Sequence, residues 1–272
     1  MSQNQNQSHI QTETVDNIFK VTLNHPETLN ALGDQIIREL REAIRFAGDP
    51  ARGFRCLVLT GAGRAFCSGG NLGMISEHTG DDAHLEQAPD PISLGTHHHY
   101  ILKLLKELPF PVITAVNGPA AGLGFSYALA GDMIVAAKSA FFMAAFRNVG
   151  VSSDGGLSWT LPKIIGWARA KELLLMGNRL PAEQALEWGL VNRVFDDDTF
   201  MDETMALARE LANGPTVALA NIRQLAWEGW ECGFAQQLDR EERVQMETFA
   251  TADAREGAMA MLEKRKAEFK GA

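Results

Sequence analysis

The feature that most constrains this chain is the segment Pro111 to Tyr127, in which an apolar run leads directly into a glycine-lined helical pattern. The β-branched residues at its start are typical of a strand that is buried on both faces. Small residues then follow Asn117-Gly118-Pro119 before the helical pattern begins. Such a turn leaves backbone N–H groups without partners at the start of a helix. These groups can bind an anion, or stabilise an oxygen that becomes charged during a reaction.

The glycine spacing excludes two familiar nucleotide-binding motifs. Gly118, Gly122 and Gly124 do not follow the dinucleotide-binding pattern G-x-G-x-x-G, and no lysine follows the last glycine as a phosphate loop requires. Close packing of a helix on its strand explains the same small residues without any function. From these residues alone, the packing and the charge-stabilising interpretations both stay open.

Length and composition limit the number of domains, the compartment and the kinds of partner that the chain can have. The 272 residues, of which 46% are hydrophobic, suit one soluble core or one core with a small appendage.

Residues 1–14 are polar, which predicts a disordered tail rather than a signal peptide. No apolar run is long enough to span a membrane. The 3 cysteines indicate a reducing compartment, so we expect a cytoplasmic protein. A net charge of −9 argues against a nucleic-acid partner, and we expect no membrane partner.

The order of the elements predicts an α/β core over residues 15–198, in which strands alternate with helices, followed by a helical C-terminal subdomain over residues 199–272. A second buried strand, Cys56 to Thr60, also leads straight into a glycine-rich turn. Residues 75–95 are acidic and polar, and predict a mobile surface segment. The run His97-His98-His99 favours a solvated helix start over a metal site, because successive side chains on a helix point in different directions. We therefore expect no metal.

Four motifs, taken together, resemble the crotonase, or enoyl-CoA hydratase/isomerase, superfamily from about Asn17 to Phe269: NHPETLNAL, LTGAGRAFCSGGNL, ITAVNGPAAGLGF and VGVSSDGG. The resemblance implies a crotonase-type spiral of β-β-α units with a C-terminal helical subdomain that mediates trimerisation. It also implies a homotrimer or a dimer of trimers. The implied substrate is an acyl-CoA thioester, with no cofactor other than the coenzyme A that the substrate carries.

The resemblance also implies an oxyanion hole made by the N–H groups of Cys67 and Leu123. Removing a proton next to a thioester carbonyl places negative charge on the carbonyl oxygen, and each preorganised N–H donor is worth roughly 3 kcal/mol. Only the backbone would act, so the Cys67 side chain is expected to be a small buried filler. Gly69, Gly70 and Asn71 would line the channel in which the coenzyme A bends. The full set of expected substrate-binding positions is Ala65, Ser68, Gly69, Gly70, Asn71, Gly122, Ser126 and Phe146.

The sequence departs from the family's hydratases at their two catalytic glutamates. Those positions hold Ser126 and Phe146, which cannot relay a proton as carboxylates do. Asp154 instead stands where dienoyl-CoA isomerases and ring-1,2-epoxyphenylacetyl-CoA isomerases have a catalytic aspartate. In 4-chlorobenzoyl-CoA dehalogenases the same position holds a nucleophilic aspartate. An aspartate before Gly-Gly and an apolar helix is also a good N-cap, which is the alternative without function.

The sequence around Asp154 most resembles the epoxyphenylacetyl-CoA isomerase branch, so the first hypothesis is an acyl-CoA isomerase with Asp154 as acid and base. One alternative is an enzyme of the hydratase type. Another is a hydrolase or dehalogenase in which Asp154 attacks as a nucleophile. The last is a protein of this fold that binds acyl-CoA without catalysis, which Ser126 and Phe146 favour.

Overall fold

The computed structural model describes residues 8–71 and 91–272, with residues 91–96 described by their backbone only. Its strands are β1 (Ile10–Val15), β2 (Ile18–Leu23), β3 (Cys56–Gly61), β4 (Val112–Val116), β5 (Ala120–Ala121), β6 (Met133–Ala137), β7 (Phe141–Met143), β8 (Arg179–Pro181) and β9 (Arg193–Phe195). Its helices are α1 (Asp34–Ala47), α2 (Pro91–Glu107), α3 (Leu123–Ala128), α4 (Leu157–Ile165), α5 (Trp167–Met176), α6 (Ala182–Glu187), α7 (Phe200–Ala212), α8 (Thr216–Glu228), α9 (Phe234–Phe249) and α10 (Ala252–Glu263). Most of the segment predicted to be mobile, residues 75–95, lies outside the described residues.

The larger sheet has six strands in the order β1-β2-β3-β4-β6-β9. β1 and β2 are antiparallel, and every later pair in this sheet is parallel. The strands β3, β4 and β6 are buried along nearly their whole length, as their unbroken apolar composition predicts.

A second row of short strands forms beside the large sheet. Cys67, which follows β3, bridges Ala120 in β5, which follows β4. β5 pairs in turn with β7, which follows β6, and β8 pairs with the far side of β7. Two long strands, β4 and β6, are thus each followed by a short strand in the second row, and β3 is followed by the bridging residue Cys67. This repetition is the predicted spiral of β-β-α units.

The N-terminal segment is more ordered than its polar composition predicts. Residues Ile10 to Val15 form β1 and pair along their whole length with β2. The backbone N–H groups of His9 and Ile10 donate to the Glu39 carboxylate on α1, at 2.7 and 3.1 Å. The predicted disorder is therefore wrong for residues 8–14, because the segment is an edge strand whose outward side chains are polar. Residues 1–7 lie outside the described part of the chain.

The C-terminal helices do not all stand apart from the core. Helix α7 packs onto strands β2, β3, β4 and β6 through buried residues that include Leu207 and Ala208. Helix α9, by contrast, buries none of its residues within this chain. The division at residues 198 and 199 therefore stays a prediction. Across the two described ranges, no helix is both long and apolar enough to cross a membrane.

Candidate active site

The two glycine-rich turns predicted from the sequence lie side by side. β3 and β4 are parallel neighbours, so the turns that follow them leave from the same edge of the sheet. The Cys67 N–H donates to the Pro119 carbonyl at 3.1 Å, and the Ala121 N–H donates to the Cys67 carbonyl at 2.9 Å. This short parallel bridge holds the two turns together.

The same bridge shows that the prediction for Cys67 is wrong. Its N–H group already donates to Pro119, so it is not available to a substrate oxygen. The side chain is fully buried, and burial raises the pKa of the Cys67 thiol to about 12. A thiol held protonated in this way is not a nucleophile, which agrees with the expected role of a small buried filler.

The free donor in the first turn is Gly70. Its neighbours are engaged with Leu32, because the Leu32 N–H donates to the Gly69 carbonyl at 2.7 Å and the Asn71 N–H donates to the Leu32 carbonyl at 3.3 Å. The Gly70 N–H has no acceptor within residues 8–71 and 91–272. The pairing of this turn with Leu32 decides which N–H stays free, and the sequence motif does not reveal that pairing.

Leu123, one of the two donors that the resemblance implies, has the second free N–H group. It is the first residue of α3, and the hydrogen bonds of that first turn run from Phe125 and Ser126 to the Gly122 carbonyl, at 3.0 and 3.2 Å. Its N–H has no acceptor in the described part of the chain. The two turns approach closely here, because a Cβ atom on Gly69 would lie 3.5 Å from the Leu123 nitrogen and 2.8 Å from the Ala121 carbonyl oxygen. At a φ of 101°, Gly69 is also in a conformation that only glycine adopts readily.

Two asparagine side chains fix the first turn from inside. Asn30 is fully buried, and its Nδ2 donates to the Ala65 carbonyl at 2.8 Å while its Oδ1 accepts from the His25 N–H at 2.9 Å. Asn117 accepts from the Gly61 N–H at 3.1 Å. Ala65, expected to bind substrate, is therefore buried and held by the scaffold. Asn30 occurs in the first sequence motif, but its role was missed because its partners are backbone carbonyls 35 residues away.

Ser68 is tied to the loop before α1 rather than left open. Its N–H donates to the Leu29 carbonyl at 2.9 Å, and its hydroxyl donates to the Thr28 carbonyl at 3.1 Å. Ser68 therefore joins this loop to the turn that carries Gly70.

Asp154 is not a helix cap. Helix α4 begins at Leu157, its N-cap is Gly156, and no side chain caps it. The Oδ1 atom of Asp154 accepts from the Gly155 N–H at 2.6 Å and lies 2.7 Å from the Nε2 atom of His99. Its Oδ2 atom has no hydrogen-bond partner in the described part of the chain, and 39% of the side chain is exposed. One oxygen is thus held while the other is open.

The histidine run lies inside α2 and has two different sides. His98 is buried, with its Nδ1 atom 3.4 Å from the Tyr127 hydroxyl, and burial lowers its pKa to about 4. His99 is exposed and contacts Asp154. The predicted solvated helix start is therefore wrong for His98, and no sequence pattern indicates the partner of His99. Among the described residues, no cluster of possible metal ligands occurs.

Ser126 and Phe146, which the sequence resemblance puts at the positions of the hydratase glutamates, are buried and carry no charge. Ser126 is buried, and its hydroxyl donates to the Asp154 backbone carbonyl at 2.8 Å. Gly155 has a φ of 64°, and a Cβ atom there would lie 2.6 Å from the Ser126 Cβ, so the Asp154 loop presses against α3. Phe146 is also buried, and a Cβ atom on Gly122 would lie 4.0 Å from its ring.

A cavity of about 320 Å³ opens beside this arrangement, at the low end of the range for small-molecule pockets. His99, Ser126 and Gly155 line it next to Asp154. Lys106, Trp159 and Trp227 line it further away. The cavity therefore adjoins the loop that carries Asp154, through Gly155, and the helix that begins at Leu123, through Ser126.

Comparison with known proteins gives a consistent result. The family model described as enoyl-CoA hydratase/isomerase matches residues 13–272. The chain is 42% identical over 256 residues to the 1,2-epoxyphenylacetyl-CoA isomerase of Escherichia coli K12, covering 93% of this chain and 95% of that protein. It is 33% identical to 4-chlorobenzoyl coenzyme A dehalogenase-1 of an Arthrobacter species, covering 81% and 78%. The crystal structure of an enoyl-CoA hydratase from Polaromonas sp. JS666 superposes with a TM-score of 0.88 at 34% identity, covering 96% and 99%.

Proposed function

Because the chain belongs to the enoyl-CoA hydratase/isomerase family, we propose that it is an acyl-CoA isomerase in which Asp154 moves a proton beside the thioester. The observation that carries the proposal is the open Oδ2 atom of Asp154, on a carboxylate whose other oxygen is held by Gly155 and His99. A general base needs such an oxygen, free to accept a proton and fixed in direction.

The reaction needs two kinds of group, and the site offers both. The Gly70 and Leu123 N–H groups bind the thioester oxygen, and each stabilises the developing charge by roughly 3 kcal/mol. Asp154 removes a proton from the carbon beside the carbonyl, and the electron pair moves to that oxygen. The carboxylic acid then returns the proton to another carbon of the conjugated system. The double bond moves, and there is no net oxidation or addition of water.

The neutral side chains of Ser126 and Phe146 favour this isomerisation over hydration. Water addition in the family uses a pair of glutamates, and the sequence resemblance implies that Ser126 and Phe146 stand at those positions. Both side chains are buried. The Ser126 hydroxyl is already used by the Asp154 carbonyl. We therefore expect hydration of crotonyl-CoA to be very slow.

The test is incubation of the purified protein with 3-enoyl-, 2-enoyl- and aromatic acyl-CoAs in heavy water, with products identified by mass. The expected result is a change in double-bond position with incorporation of deuterium and no gain of water. Efficient hydration of crotonyl-CoA without any migration of the double bond would contradict the proposal.

The His99 contact favours one second candidate, in which Asp154 is a nucleophile. A histidine 2.7 Å from the carboxylate could activate the water that hydrolyses an ester formed on Asp154. The dehalogenase relative makes this chemistry relevant. A single turnover in heavy-oxygen water distinguishes the two functions, because hydrolysis of an Asp154 ester leaves the label in the Asp154 peptide and isomerisation does not.

We also propose that the protein assembles as a homotrimer or a dimer of trimers. Phe234 is 81% exposed on α9, and Phe249 is 63% exposed at the other end of the same helix. Large apolar side chains left in water along a helix are typical of an interface between chains. A clean monomer by light scattering at micromolar concentration would contradict this assembly.

Catalysis through backbone donors and one carboxylate requires no cofactor other than the coenzyme A of the substrate. Full activity after exhaustive dialysis against a chelator is the expected result. Loss of activity that added metal restores would contradict it.

A further inference from the structure

The far end of the cavity differs in chemistry from the end beside Asp154. Lys106 lies seven residues after His99 on α2, which places it roughly 10 Å further along the helix axis. Both residues line the same cavity. An acyl group bound with its thioester next to Asp154 would therefore extend towards Lys106.

The Lys106 ammonium is enclosed by tryptophans rather than by an anion. Its Nζ atom lies 3.9 Å from the centroid of the Trp227 ring and 5.0 Å from that of Trp159. The residue is half-buried, and within the described residues it takes part in no ion pair. Burial lowers the pKa of Lys106, the direction expected where an ammonium has lost water and gained no bonded anion. Glu231, which lines the same cavity, opposes this shift.

The tryptophan faces are already covered by cations. Lys106 stands over Trp227, and the Nζ atom of Lys163 lies 3.3 Å from the centroid of the Trp159 ring. An aromatic acyl group that stacked on the lysine-covered face of either ring would have to displace that lysine. The tryptophans are thus better placed to enclose methylene groups, while Lys106 offers its charge to the end of the chain.

We propose that Lys106 is a specificity-determining residue that binds a carboxylate at the distal end of the acyl group. An N⁺–H···O⁻ bond to such a carboxylate would supply the partner that the ammonium lacks. The proposal rests on the proposed function, since it assumes that an acyl-CoA thioester occupies this cavity. It makes ω-carboxyacyl-CoA thioesters the favoured substrate class.

The test is binding of matched saturated thioesters, which need no turnover. Hexanoyl-CoA is compared with adipyl-CoA, and octanoyl-CoA with suberyl-CoA, so that each pair differs by one terminal carboxylate. We expect the carboxylated member of at least one pair to bind about tenfold more tightly, because a hydrogen bond to a charged group is worth about 1.5 kcal/mol or more. Lys106→Met, which keeps the apolar stem, should remove that preference, and Lys106→Arg should retain it.

Lys171→Met is the matched control. Lys171 also stands over a tryptophan, 5.5 Å from the Trp167 ring centroid, but it does not line the cavity. This variant should keep the full preference for the carboxylated thioesters. Melting curves for all three variants identify any loss of folding.

Several results would overturn the assignment: equal binding within both pairs, a preference that survives in Lys106→Met, tighter binding of a phenyl-terminated acyl-CoA, or no binding of any acyl-CoA. Double-bond migration without a carboxylate preference would overturn only the role of Lys106. A carboxylate preference that depends on Lys106, without any migration, would overturn only the isomerase.

Discussion

The two sides of the site are built in opposite ways. On one side, Gly70 and Leu123 offer backbone N–H groups from turns that are buried and fixed by Asn30 and Asn117. On the other side, Asp154 offers a side chain that is 39% exposed and held through a single oxygen. Many hydrogen bonds determine the backbone geometry of the first side, so few single substitutions alter it. On the second side, one substitution at Asp154 is enough to change the chemistry.

This difference explains how related proteins can differ in reaction. Backbone donors stabilise charge on a thioester oxygen whatever happens next, so their geometry suits isomerases, hydratases and dehalogenases alike. The side chains opposite decide which bond is made or broken. In this chain, Ser126 and Phe146 are neutral and Asp154 carries a carboxylate with an open oxygen, so the second side determines the proposed function.

The largest expected effect comes from Asp154→Asn, which changes only the exposed side. The amide keeps the shape of the side chain but cannot accept the proton, so isomerase turnover should fall roughly a thousandfold. The melting temperature and acyl-CoA binding should stay close to wild type, because Asp154 caps no helix. Turnover that survives while stability falls would show that Asp154 is structural.

Asn30→Ala tests the buried side. Two or more backbone carbonyls around the fully buried Asn30 would lose a donor, so we expect the free energy of unfolding to fall by about 3 kcal/mol. Turnover should fall with it, since the turn that carries Gly70 is released. Urea unfolding measures the effect, and Asn24→Ala is the control, because the Asn24 amide bonds the Ser8 carbonyl at an exposed site and should cost less than about 0.5 kcal/mol. Equal losses in the two variants would contradict the role of Asn30.

His98, the buried neighbour of His99 on α2, should make the stability of the protein depend on pH. The pKa of His98 is lowered from 6.5 to about 4, so between these values the unfolded chain binds a proton that the folded chain does not. Stability is therefore fully present above pH 6.5 and is lost as the pH falls, by roughly 2 kcal/mol at about pH 5. His98→Gln should flatten this part of the stability curve, measured by urea unfolding at a series of pH values. An unchanged slope in the variant would contradict it.

Ser126→Ala should have the smallest effect. It removes the hydrogen bond of 2.8 Å to the Asp154 carbonyl, worth about 1 kcal/mol, but leaves the carboxylate in place. Turnover should fall less than about tenfold. A loss as large as that of Asp154→Asn, measured in the same isomerase assay, would mean that the hydroxyl itself takes part in proton transfer.

How far the sequence predicted these features depends on how local they are. The strands β3 and β4 and the turns after them were predicted because each is specified by neighbouring residues. The Leu123 donor came from the family resemblance and stays a prediction. Gly70 was not identified as the donor, because that depends on a pairing with Leu32, 38 positions earlier in the numbering. The His99 contact was missed for the same reason, since Asp154 is 55 residues away. The edge strand β1 was missed because its polar side chains resemble those of a tail.

In the proposed mechanism, the backbone donors polarise the carbonyl while Asp154 moves the proton. The most direct test is the infrared carbonyl frequency of a bound, carbon-labelled acyl-CoA thioester in wild type and Asp154→Asn. If Gly70 and Leu123 polarise the carbonyl independently of the carboxylate, both proteins should shift the band to lower frequency by the same amount, although only the wild type turns over. A band that shifts in the wild type but not in Asp154→Asn would contradict the account, because the carboxylate side would then hold the carbonyl as well as the proton.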